Sequence, residues 1–212
     1  MNRPASASPV RARSSSGQSS SGLFAPGPLV LIAMIVVAAL TRLLPHPPNF
    51  SPVEAVALFG GAYFASRAMA VAVPLVAMLV SDLILGMTLG GTYFEHFTRP
   101  AYLATWLSVY ACIALSAAMG FGLRGRVNGA RVLGYSLAGS VLFFVVTNFA
   151  VWATATPMTA HPSCMIGLAP CYAAALPFFQ WTVLGTLFYA ALLFGGFALL
   201  RQRVPALRMQ TV

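Results

Sequence analysis

The chain has 212 residues, 59% of them hydrophobic, and its twelve basic residues, all arginine, stand against only three acidic ones for a formal net charge of +9. An ordinary soluble domain has roughly a quarter of its residues charged, so this composition excludes one and points to an integral membrane protein. The arginines are scattered between apolar runs and form no continuous stripe, which argues against a nucleic-acid partner.

Residues 1–27 are rich in Ser, Pro, Ala and Arg, with too few large apolar groups to offset the entropy of ordering, so a disordered basic tail is expected. A signal peptide is the competing reading, but the apolar run leads into TRLLPHPP without an A-x-A site, which favours a retained first helix. Six apolar segments follow, at 29–44, 52–66, 68–88, 100–123, 132–153 and 171–200. A crossing needs ~20 apolar residues, so the first two are short and the last is long enough to tilt, or to kink at Pro177. The expectation is an all-α integral membrane bundle of about six transmembrane helices over residues 28–201, followed by a short cytoplasmic tail, 202–212. Segment 52–66 leaves a re-entrant alternative open.

With six crossings and the amino terminus inside, the inner side collects Arg3, Arg11, Arg13, Arg67, Arg124, Arg126, Arg131, Arg201, Arg203 and Arg208. Only Arg42 and Arg99 remain outside. Cytoplasmic loops concentrate arginine, so both termini are expected in the cytoplasm.

Asp82, in PLVAMLVSDLILG, is the only acidic residue inside a run long enough to cross without interruption. Burying an ionisable group there costs roughly 2.5 to 3.5 kcal/mol on insertion scales, which marks a polar site by default; a carboxylate paired with a neighbouring helix is the alternative. At ~1.5 Å per residue, Asp82 lies ~22 Å beyond Arg67, Asn148 ~25 Å beyond Arg131, and Gln180 ~14 Å inward from Cys171. All three fall in one layer of the outer half, which also receives Asn49 and Glu54 from the first outer loop and the start of the second segment, and Tyr102 and Trp106 from the fourth segment. The expected site is a cavity that opens outward. Asp82, Asn148 and Gln180 would bind polar groups of a small-molecule substrate, Asn49 and Glu54 would close the mouth, and Trp106 and Trp152 would wall it. The plainer readings are interhelical hydrogen bonding for Asn148 and Gln180 and an interface belt for Tyr102, Trp106 and Trp152. Arg42 either partners Glu54 or Asp82 or snorkels to the headgroups.

His46, His96 and His161 fall in outer loops near Glu95 and two cysteines, but no H-x-x-x-H or C-x-x-C spacing accompanies them, so no metal is expected. Cys112 reads as a small buried thiol. Cys164 and Cys171 flank one loop and are either a disulfide or two free thiols, depending on the compartment. Small residues recur four apart at Ala57 and Gly61, Ala68 and Ala72, Ser116 and Gly120, and Ser136 and Ser140, a spacing that lets helix backbones approach closely. There is no G-x-x-x-x-G-K-[ST], G-x-S-x-G or H-E-x-x-H, so neither an enzyme nor a cofactor is expected.

The stretches RLLPHPPNFSPVEAVALFGGAYF (42–64), PLVAMLVSDLILG (74–86), GSVLFFVVTNFAVW (139–152) and CYAAALPFFQWTVLGTLFYAALLFGG (171–196) resemble a bacterial family of uncharacterised membrane proteins ascribed to transport. That family in turn is similar to the S components of energy-coupling-factor transporters, six-helix proteins that capture a vitamin or other micronutrient outside and release it inside. The resemblance implies a substrate-binding transport protein of a bacterial inner membrane, with two ATPases and a scaffold subunit as partners besides the lipid bilayer. The chain departs from the family pattern at Thr186, where an acidic residue often follows the glycine, and in the loop TATPMTAHPSCMIGLAP. A non-transporting membrane scaffold or assembly subunit is the alternative function.

Overall fold

A computed structural model describes residues 26–90, 100–157, 160–204 and 207. Residues 1–25 of the expected basic tail, the loop residues Glu95, His96 and Arg99, and Arg208 near the carboxyl end lie outside the described residues.

The described residues form helices and no strand: α1 (Pro26–Leu40) with a 3-10 turn (Thr41–Leu43), α2 (Val53–Tyr63), α3 (Arg67–Leu89), and α4 (Pro100–Gly120) with a 3-10 turn (Phe121–Leu123). Then come α5 (Gly129–Ala153), the short α6 (Pro162–Ile166), and α7 (Leu168–Ala190), which runs through a π-helical turn (Ala191–Gly195) into α8 (Gly196–Arg203). The expected all-α bundle is present. Four of its helices, α3, α4, α5 and the continuous α7–α8, are long and apolar enough to cross a membrane, whereas α1 and α2 are shorter apolar helices. Side-chain caps set two of the starts: the Ser66 hydroxyl accepts from the Met69 amide and the Asn128 side chain from the Arg131 amide. The irregularity of the last helix is the π turn at Ala191–Gly195, while Pro177 sits within α7.

The centre of the bundle is α2. Its eleven residues extend only ~16 Å, about half of a ~30 Å hydrocarbon core, and all of them are buried. A helix that is apolar all round is one to be enclosed, and α1, α3, α4, α5 and α7 enclose this one. Lipid tails are as apolar as leucine, so burial alone gives these helices little reason to associate; close backbone packing does. A Cβ on Gly61 would lie 2.8 Å from Gly120 Cα and would overlap the Ala117 carbonyl oxygen, while one on Gly120 would lie 2.9 Å from Gly61 Cα. Two of the small-residue pairs legible in the sequence, Ala57/Gly61 and Ser116/Gly120, thus meet where α2 crosses α4. On its other side, Gly60 leaves room for Pro74 of α3, whose ring would come within 2.9 Å of a Cβ there.

The carboxyl end of α2 is closed by Arg124, whose Nε donates to the Gly61 carbonyl at 2.9 Å and whose Nη2 donates to that of Phe64 at 2.8 Å. These are carbonyls without helical partners, and a cation there also complements the helix dipole. Beside this end, Phe59 and Tyr63 stack edge-on with Phe197 at 5.6 and 4.6 Å, which fastens α8 to α2.

Candidate functional site

Asp82 is buried and fully engaged. Arg42 Nη1 forms an ion pair with Oδ1 at 2.6 Å and also donates to Ser81 Oγ at 3.1 Å. Tyr110 Oη donates to Oδ2 at 2.8 Å and Trp106 Nε1 to the same oxygen at 3.3 Å. This arrangement ties the end of α1 to α3 and α4. Of the two roles open to Arg42, pairing is the one adopted, and Trp106 turns its indole N–H inward to a carboxylate. Tyr110, one turn after Trp106 on α4, is a member that the sequence reading missed; the i, i+4 spacing of two aromatic donors was the available signal.

The remaining expected site residues do not gather around Asp82. Asn148 donates its amide to the Phe144 carbonyl of its own helix at 2.8 Å, and Gln180, exposed on α7, donates to that of Pro177 at 3.0 Å. Asn49 is exposed in the loop before α2, in a left-handed conformation with φ 66°. Trp152 is half-buried near the end of α5, with its ring 5.6 Å from that of Phe149. The expected single outward cavity is therefore not what these side chains form.

Glu54 differs most from its expected place. Sequence depth put it at the mouth of the site, yet it is only 2% exposed. The physical reason is the course of the chain before α2: Phe50 packs on Phe188 and Tyr189 at 5.6 and 5.8 Å, and the Ser51 backbone lies against Gly185, so α2 begins inside the bundle. Glu54 Cγ would lie 3.6 Å from a Cβ on Gly139, which is ~15 Å along α5 from its first residue and so near the middle of a ~30 Å core.

Thr186 Oγ1 lies 3.5 Å from Glu54 Oε2, a weak contact, while Glu54 Oε1 is buried without a protein partner. The hydroxyls of Ser51, Ser116 and Ser136 are also buried without one. Thr186 is the position at which the sequence departs from the resembled family pattern, and it meets the second carboxylate of the bundle. The buried face of α5 consists of Ser136, Gly139, Ser140 and Thr147, all small or hydroxyl-bearing. Native interiors leave few polar atoms unsatisfied, so each of these atoms calls for an explanation.

A cavity of about 930 Å³, in the form of an open groove, lies between α5 and α7–α8. Val132, Leu187 and Phe194 supply apolar wall, Tyr63 of α2 adds an aromatic one, and Asn128, Arg201 and Gln202 stand at one end. The π turn forms part of the wall through Ala191, Phe194 and Gly195. Such turns recur at functional sites because they widen the helix locally. The register of both helices sets the depth of the cavity. Ser136 lines it one turn before Gly139, and Leu187 lines it directly after Thr186, so the cavity stops about one helical turn short of Glu54. The intervening turn of α2 carries Leu58, whose Cδ1 would be 3.8 Å from a Gly139 Cβ.

At the other end of α7, Cys171 is joined to Cys164 of α6 by a disulfide, and Cys112 is a free, buried thiol. No curated protein and no solved structure matches the chain. A family model does match, over residues 23–207, and the chain belongs to that family of unknown function, DUF6580.

Proposed function

We propose that the protein is a membrane-embedded binding protein, working in transport, that holds a small organic molecule between α5 and α7–α8. The observation that carries this reading is the cavity of about 930 Å³ whose deep end lies one turn from a buried carboxylate oxygen without a protein partner. Ligand sites are typically clefts of roughly 300 to 1,000 Å³, mostly apolar, with a few placed polar groups. The role is one of binding rather than catalysis.

The wider assignment rests on the same frame. Six crossings with both termini in the cytoplasm of a bacterial inner membrane would put the arginines at the Asn128 and Arg201 end inside. The Cys164–Cys171 disulfide belongs in an oxidising compartment and supports placing the opposite end outside. A nutrient captured outside would then leave through the α5–α8 cavity, and the resemblance to S components adds ATPase and scaffold subunits as partners. Native mass spectrometry of the purified protein tests the reading. A small molecule should remain bound to the wild type and be lost from Ser136→Trp, whose indole fills the deep end. Ser136→Trp retaining the same adduct would remove the cavity from the account.

A non-transporting scaffold is the second reading, and one observation favours it. Ala68 and Ala72 are exposed on α3, and Ala72 lines an apolar groove of about 240 Å³ between α1 and α3. A protein that carries no small molecule in any preparation would leave this reading in the lead.

A further inference from the structure

Glu54 is the buried group that the Asp82 cluster does not use and that the fold leaves incomplete. Its Oε1 has no hydrogen-bond partner of good geometry within the protein, the carboxylate being met otherwise by its own backbone amide and by Thr186. An unpaired buried polar atom is costly, more so if charged, and is retained where it serves a purpose. Arg42, the cation that the sequence offered to either acid, is taken up by Asp82.

Resting on the cavity reading above, we propose that the ligand carries a protonated amine, for which Glu54, about one helical turn beyond the α5–α8 cavity, is the counter-charge. Three features bear on the choice of ligand. The first is chemical: an ammonium group supplies both the positive charge and the donor that Oε1 lacks, and charge-assisted hydrogen bonds are about twice as strong as neutral ones. The second is the surroundings. A bare metal ion takes several oxygen or nitrogen ligands, and among the described residues no group of three or more His, Cys, Asp or Glu gathers. Nor does a bare ion call for a cavity of about 930 Å³ walled by Val132, Leu187 and Phe194, whereas the hydrocarbon or aromatic body of an organic amine does.

The third is the direction of the field. Arg201 stands at one end, and Glu54, near mid-membrane, is the acid beyond the other. A cationic head is disfavoured beside Arg201 and favoured toward Glu54, so the bound molecule lies with its amine toward Glu54 and its apolar body among the walls. The Ser136 hydroxyl, buried and unpartnered at the deep end, is a second acceptor on the path. Leu58 must change rotamer to admit the amine across the last turn.

The test uses the Ala191→Cys protein in lipid nanodiscs, with the rate of N-ethylmaleimide labelling as readout, since Ala191 lines the cavity and is exposed. The wild type supplies the blank, because Cys112 is buried and the other two cysteines are joined. The probes are 2-(1-naphthyl)ethylamine, 2-(1-naphthyl)ethanol and 1-naphthylacetate, matched in body and different in head. The Ala191→Cys thiol should react, and the amine should slow it at concentrations about tenfold lower than the alcohol does, with the acetate weakest. Glu54→Gln should erase the amine's advantage and Glu54→Asp, which keeps the charge, should retain most of it. If Glu54→Gln does not purify as a monodisperse protein, the order of the three probes and the Glu54→Asp variant decide. Equal protection by amine and alcohol, or an advantage that survives Glu54→Gln, overturns the amine assignment and leaves the cavity standing. A thiol that does not react, or that none of the probes protects, overturns the cavity reading and the amine with it.

Discussion

Gly61→Leu should unfold the bundle or lower its stability by more than about 3 kcal/mol, at or beyond the upper end for overpacked sites. The added Cβ alone would overlap the Ala117 carbonyl oxygen and lie 2.8 Å from Gly120 Cα, and both obstacles are backbone. No side chain can turn aside to make room, so α2 and α4 must separate. Because α2 is enclosed on every side, that separation propagates to the packing of α1, α3, α5 and α7. Gly134→Ala is the control. A Cβ there meets nothing within 4 Å, and alanine favours a helix over glycine by about 1 kcal/mol, so stability should hold or rise. Unfolding by titration with a denaturing detergent, followed by circular dichroism, reads both. A loss below about 1 kcal/mol for Gly61→Leu would mean that the two backbones do not meet there.

The second large effect is at Asp82. Asp82→Asn keeps the shape and the two hydrogen bonds from Trp106 and Tyr110 but removes the charge opposite Arg42, leaving a part-buried guanidinium without its anion. Breaking a buried pair from one side costs about 3 to 5 kcal/mol; the Arg42 side chain is 20% exposed, which places this pair at the lower end. Arg42→Met together with Asp82→Asn should recover much of the loss, because the stranded charge is then gone. A double-mutant cycle in the same unfolding assay should give a coupling above about 1 kcal/mol. Strictly additive losses would contradict the pairing.

What the sequence made legible follows from how local each signal is. The membrane class, the singular position of Asp82, Arg42 as a possible partner and the facing small-residue pairs of α2 and α4 all depend on composition or on spacing within one helix. The place of Glu54 depends on the course of the chain around it. Segment 52–66 is apolar on all sides, so its periodicity distinguishes no face, and a crossing, a re-entrant turn and an enclosed short helix look alike. The depth argument placed its start beside the first outer loop, and Glu54 with it. Ser136 and Ser140 were visible as a packing pair, but their role as part of a hydroxyl-lined face appears only with Gly139 and Thr147 turned to the same side. Asn148 and Gln180 show the limit of depth arguments, since equal depth does not mean a shared face, and a side-chain amide in a helix readily bonds to a carbonyl of the preceding turn. The π turn at Ala191–Gly195, which helps to line the cavity, has no signature in ALLFG.

The most direct test of the central claim is an experimental density map of the protein purified in lipid nanodiscs without added ligand analogues. The account predicts density for a non-protein molecule between α5 and α8, its body against Val132 and Leu187 and one end reaching Ser136 on the side of Glu54. A map in which α5 and α8 close upon each other, with side chains filling the space and Glu54 Oε1 bonded within the protein, would contradict it.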